Sequence, residues 1–136
     1  MRKKLVRRIV VALMAMVMVF AGSSVANATS GNASTPYGSM YYVSLMTGPK
    51  WLASETVITS NGVAFTCAKV TVELKYNATG KSYKNLKSAV TNYKKGDQVV
   101  IAEKTYHNTT DKNLAAFAAH EVIGGETVNK YSSQVF

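Results

Sequence analysis

The chain reads as an all-β protein: a single antiparallel β-sandwich of about seven or eight short strands, following a cleaved signal peptide. Three observations predict this. From Ala68 to Tyr76 the residues alternate without a fault, with Val70, Val72, Leu74 and Tyr76 on one side and Lys69, Thr71, Glu73 and Lys75 on the other. A period of two marks a strand with one buried and one wet face. Runs rich in valine, threonine and aromatic residues recur between short turn segments, without the strand-helix alternation of a parallel sheet. The N-terminus carries the three-part pattern of an export signal.

That signal is read over residues 1–28. Arg2, Lys3, Lys4, Arg7 and Arg8 form its basic start, and Ile9 to Ala21 is an uncharged apolar run of 13 residues. A membrane-spanning helix needs roughly 20. Ala26-Asn27-Ala28 fits the small-x-small rule for cleavage before Thr29, so the expected localisation is secreted and extracellular. No membrane span is expected once the leader is gone; retention as an N-terminal anchor is the competing reading.

Five of the 16 basic residues lie in the leader, so residues 29–136 keep 11 lysines against 7 acids, a net charge of +4 with no arginine. Arginine supplies the planar fork that reads phosphates and guanine edges, and its absence argues against specific nucleic-acid recognition. The one cysteine, Cys67, excludes an intramolecular disulfide framework, so the domain must hold by its core. Cys67 falls in a strand-like segment and reads as a small buried apolar residue.

Residues 29–39 are small and polar and read as a flexible lead-in; the sandwich is expected over 40–136. Met40 to Met46 is a first strand, Thr47 to Lys50 a turn, and Trp51 an anchor plugging one end of the core. Thr56–Ser60 and Val63–Cys67 flank Asn61-Gly62, the preferred two-residue hairpin turn because both residues accept positive φ. In that register Ile58 opposes Phe65 and Thr56 opposes Cys67. The inward residues are odd before Cys67 and even from Val70, which requires a bulge or a change of sheet between them. Asn77 to Lys81 is a turn. Ser82 to Tyr93 reads as strand or loop, although Tyr83, Leu86, Val90 and Tyr93 also fit helical spacing. Lys94 to Asp97 is a turn, Gln98 to Tyr106 a strand and His107 to Asn113 a loop. Leu114 to Ile123 is read as a strand, against its alanine content and a helix cap at Asp111. Thr127 to Val135 closes the sheet as an edge strand.

The segments Ala68 to Leu74, His120-Glu121-Val122-Ile123-Gly124-Gly125 and Tyr131-Ser132-Ser133 together resemble a group of small secreted, immunoglobulin-like β-sandwich proteins of Gram-positive bacteria. The resemblance implies fold and address, and no activity comes with it.

No catalytic constellation stands out. Nothing local places His107 or His120 beside Cys67 as the base a thiol nucleophile needs. His120 and Glu121 would point to opposite faces of a strand, so they supply no zinc site. No cofactor or metal is expected, and the chain is read as a non-enzyme. Tyrosine combines a flat apolar face with a polar tip, and Tyr41, Tyr42, Tyr106 and Tyr131 are the candidate binding surface. The expected role is a non-catalytic binding or structural module at the cell envelope or outside the cell. Its expected partner is a cell-wall polymer, a glycan or another extracellular protein. The alternatives are a secreted antimicrobial, bacteriocin-like factor and a small hydrolase.

Overall fold

The computed structural model describes residues 27–48, 50–91, 98–110 and 112–136. Nearly all of the expected leader, Tyr93, the expected turn at 94–97 and Asp111 lie outside them. Eight strands follow one another: β1 (Asn27–Thr35), β2 (Gly38–Thr47), β3 (Trp51–Ser60), β4 (Cys67–Tyr76), β5 (Ser82–Val90), β6 (Val99–His107), β7 (Leu114–Ile123) and β8 (Thr127–Val135). They make two antiparallel four-stranded sheets, ordered β1-β2-β3-β6 and β5-β4-β7-β8. No helix occurs among the described residues.

Alternation decides which residues meet between the sheets. Met40, Met46, Leu52, Ile58, Val100 and Ala102 project from the first sheet. Ala68, Val70, Val72, Leu74, Ala116, Ala118 and Val122 project from the second, and all are buried in one core. Each buried valine, leucine or isoleucine contributes roughly 1.5–3 kcal/mol. The alanines of β7 are explained by their place: the strand lies between β4 and β8, with Ala116 opposite Leu74 and Ala118 opposite Val72. Small residues there leave room for larger neighbours, and packing overrides alanine's helical preference.

Three expectations are corrected. The segment read as a flexible lead-in is β1, paired with β2 from Asn27↔Met46 to Thr35↔Gly38. An edge strand needs backbone pairing more than apolar side chains, and the exposed Ser30, Asn32 and Ser34 suit an edge. Asn61-Gly62 does not close a hairpin. β3 already pairs with β2 and β6 on its two sides. The chain therefore leaves the sheet at Asn61, and pairing resumes in the other sheet where the Thr66 N–H donates to the Ile123 carbonyl at 2.6 Å. The expected change of phase is thus a change of sheet, placed at 61–66, ahead of Cys67.

Trp51 is no plug: it is 52% exposed and stacks flat on His107, with ring centroids 4.1 Å apart. Tyr37 fills that role at one end of the core. Its buried ring packs on Phe65 at 5.7 Å, its hydroxyl donates to the Glu126 carbonyl at 2.7 Å, and that oxygen accepts the Glu126 N–H at 2.8 Å.

Odd-numbered residues of β2 and β3 point away from the second sheet. Val43, Leu45, Glu55 and Val57 there are nevertheless buried, and none of the eight strands lies over them.

Candidate functional site

The outer face of the β5-β4-β7-β8 sheet carries an open groove of about 490 Å³. Thr71 and Glu73 of β4, Phe117 and Ala119 of β7, and Tyr131 and Ser133 of β8 line it, and Thr29 of β1 stands at its rim. Strand alternation puts these side chains on one face, and antiparallel register sets Ala119 opposite Tyr131 and Phe117 opposite Ser133. The two rings are therefore diagonal neighbours, roughly 7–8 Å apart by strand geometry. Phe117 is 46% exposed and Tyr131 72%. Exposed rings of this size carry a desolvation gain that the folded chain has not taken. Lys75 lies over the Phe117 ring at 5.5 Å from its centroid and 3.8 Å from the Glu73 carboxylate. The groove thus offers two flat apolar surfaces beside hydroxyl, carboxylate and ammonium groups.

The four candidate tyrosines do not form one surface. Tyr131 alone lies on the groove. Tyr41 is half-buried on the outer face of the first sheet. Tyr42 turns inward, its ring 5.4 Å from that of His120, and Tyr106 packs edge-on to Phe136 at 5.8 Å. Phe117 was not singled out in the sequence, whereas Thr71 and Glu73 were read on the wet face of their strand. The signal for Phe117 was present: an outward position on a strand beside Tyr131 holds an apolar ring where a polar residue is the rule.

Beneath the groove a buried polar chain crosses the sandwich. Ser54 Oγ lies 2.7 Å from Ser44 Oγ, which lies 2.6 Å from Ser132 Oγ, itself 2.6 Å from His120 Nε2. His120 Nδ1 is 3.0 Å from Thr56 Oγ1, and Thr56 donates to the Lys69 carbonyl at 2.9 Å. A hydroxyl has one proton, so this last bond fixes the direction of the rest. Thr56 must accept from Nδ1–H, Nε2 must accept from Ser132, and Ser44 and Ser54 each donate to the next oxygen. His120 is therefore neutral. Burial pushes its pKa down from 6.5 to about 4, and a weaker opposing contact with the Glu55 backbone does not restore it. No buried side-chain nitrogen or oxygen of the described residues lacks a partner.

Ser132 donating to His120 has the geometry of a nucleophile and its base. Ser132 also accepts from Ser44, faces the interior and is 5% exposed, so the pair serves the packing of the two sheets. Cys67 is buried and free. A thiol reagent is expected to label it only at the rate of global unfolding, checked by labelling across a urea series; fast labelling in the native state would show the site is open. No group of three or more metal-ligating side chains gathers among the described residues, and no helix long and apolar enough to cross a membrane occurs among them.

Comparison with protein-family models, curated proteins and solved structures finds no match.

Proposed function

We propose that the protein is an exported, immunoglobulin-like binding module, without catalysis, that takes a glycan of the bacterial cell surface on the groove of the second sheet. The observation that carries this reading is the pair of exposed rings, Phe117 and Tyr131, above small Ala119 and beside Thr71, Glu73 and Ser133. Sugar rings present one apolar C–H face and a rim of hydroxyls. A flat ring covers the first, and short polar side chains meet the second. The expected leader and the lysine-rich, arginine-free surface support a place outside the cell near anionic wall polymers.

The test is co-sedimentation of labelled protein with purified peptidoglycan sacculi across a salt titration. Retention above about 0.5 M NaCl is expected, where exposed charges are screened within a few ångströms. Phe117→Ala and Tyr131→Ala are each expected to weaken it about tenfold, the loss typical of an aromatic anchor. Binding that disappears with salt and ignores both substitutions would reduce the interaction to lysine electrostatics and end this reading.

A further inference from the structure

β1 is the unguarded edge of the first sheet. It pairs with β2 on one side, residue for residue and without a bulge, and no other strand of the described residues pairs with its far side. Free strand edges invite pairing with another chain, and proteins blunt them with charges, prolines or bulges. The other three edges carry such charges: Lys84 and Lys87 on β5, Glu103 and Lys104 on β6, and Lys130 on β8. β1, Asn27–Thr35, has neither charge nor proline.

The hairpin after β1 fixes which of its backbone groups are free. Thr35 and Gly38 face each other across the two-residue turn Pro36-Tyr37, and residues flanking such a turn exchange both backbone hydrogen bonds. Counting back by twos, Ala33, Gly31 and Thr29 also spend their N–H and C=O groups on β2. Ser30, Asn32 and Ser34 aim theirs away from β2, and their side chains are exposed. We propose that β1 pairs with β1 of a second copy, antiparallel about a two-fold axis at Asn32, so that the two first sheets become one sheet of eight strands. Asn32 then faces its own counterpart, Ser30 faces Ser34, Gly31 faces Ala33 and Thr29 faces Thr35. The match uses all of Thr29–Thr35, which lies downstream of the expected cleavage. Residues with free backbone groups meet one another, so those groups are satisfied. Every opposed pair is small and uncharged, and hydroxyl and amide side chains bond across such pairs. An unrelated peptide strand is selected by pockets for its alternate side chains, and Ser30, Asn32 and Ser34 are too short to wall them. A symmetric copy needs only the strand itself. This inference is independent of the groove on the opposite sheet.

The test is sedimentation equilibrium of the full chain over a concentration series. One strand pair is small beside a standard interface, so a Kd on the order of 0.1 mM is expected. Asn32→Pro removes an N–H that β2 does not use, which an edge strand tolerates. It takes two hydrogen bonds from the dimer and should weaken association about tenfold or more. Asn32→Lys sets two ammonium groups opposite each other and should also weaken it, most at low salt. Asn32→Ser should associate as wild type does, and matching circular dichroism should show each variant folded. Cross-linking in a Cys67→Ser background reads the register. The Cα atoms of a hydrogen-bonded pair lie about 5.5 Å apart, within reach of a disulfide. Asn32→Cys should therefore oxidise to a disulfide dimer far faster than Asn85→Cys, which is exposed on β5. A wild type that stays monomeric to about 1 mM overturns the inference. So does association that both Asn32→Pro and Asn32→Lys leave intact, or a cysteine at 32 that oxidises no faster than one at 85.

Discussion

Acidification from pH 7 to pH 4 is expected to remove about 3 kcal/mol of stability through His120 alone. An unfolded imidazole titrates near 6.5, and the folded one near 4. Between those values the unfolded chain holds the extra proton, so stability falls as pH falls through this window. A shift of this size converts at about 1.4 kcal/mol per unit. The hydrogen-bond chain explains the sign beyond burial. A proton on Nε2 would oblige Ser132 to accept, reversing Ser44 and Ser54 and leaving the Ser54 proton to find a new acceptor. Glu55 works in the opposite sense: its pKa is raised to about 8 from 4.5, so its share of stability is present at low pH and lost as pH rises between those values. The two overlap, and His120→Gln separates them because Glu55 is common to both proteins. Urea titrations at pH 7 and pH 4 should show the stability gap between wild type and H120Q shrink by about 3 kcal/mol. A gap that does not move with pH would refute a neutral, directional network.

Gly38→Ala is expected to cost about 3 kcal/mol, combining backbone strain with a clash. Gly38 opens β2 at φ +131°, a conformation side chains rarely adopt. A Cβ there would run into the Thr59 carbonyl oxygen, backbone that is itself held in the ladder between β2 and β3. Gly62 is the control: at φ +94° a Cβ meets nothing within 4 Å, so Gly62→Ala carries strain alone, of order 1 kcal/mol. For a domain of this size the Gly38 variant should melt roughly 15 °C lower, against a few degrees for the Gly62 variant. Equal melting temperatures would show that the β1-β2 turn relaxes freely.

The strands were legible where one face is buried and the other wet. Val70, Val72 and Leu74 against Lys69, Thr71 and Glu73 declare β4 by themselves, and residues 98–106 and 127–135 do nearly as well. What was hidden depends on partners far away in the chain. β1 is a strand because β2 lies beside it, and its own residues Asn27 to Thr35 look like a loop. Asn61-Gly62 carries the local chemistry of a hairpin, yet both sides of β3 are already occupied, which no local pattern reveals. Trp51 was misread because a large aromatic is usually drawn inward, and His107 gives it a stacking partner on the surface. The groove was half visible in Tyr131; Phe117 gained meaning only when register placed it diagonally across from that ring. The Ser44–Ser132–His120 chain could not be read at all, since its links join residues 88 and 12 positions apart across two sheets.

Thr29 ties the two edges of the sandwich together. Its hydroxyl donates to the Ser133 carbonyl at 2.8 Å and accepts from Gln134 Nε2 at 3.3 Å. Cleavage after Ala28, as the leader pattern predicts, would make this residue the first of the mature chain and leave the pairs from Thr29↔Ser44 to Thr35↔Gly38 in place. The cut would also create an α-amino group, which is protonated below about pH 8, at the rim of the groove that Thr29 helps to line. Maturation would then place a positive charge at the rim of the groove, opposite in sign to Glu73, so that the precursor and the finished protein would present different fields to whatever enters it.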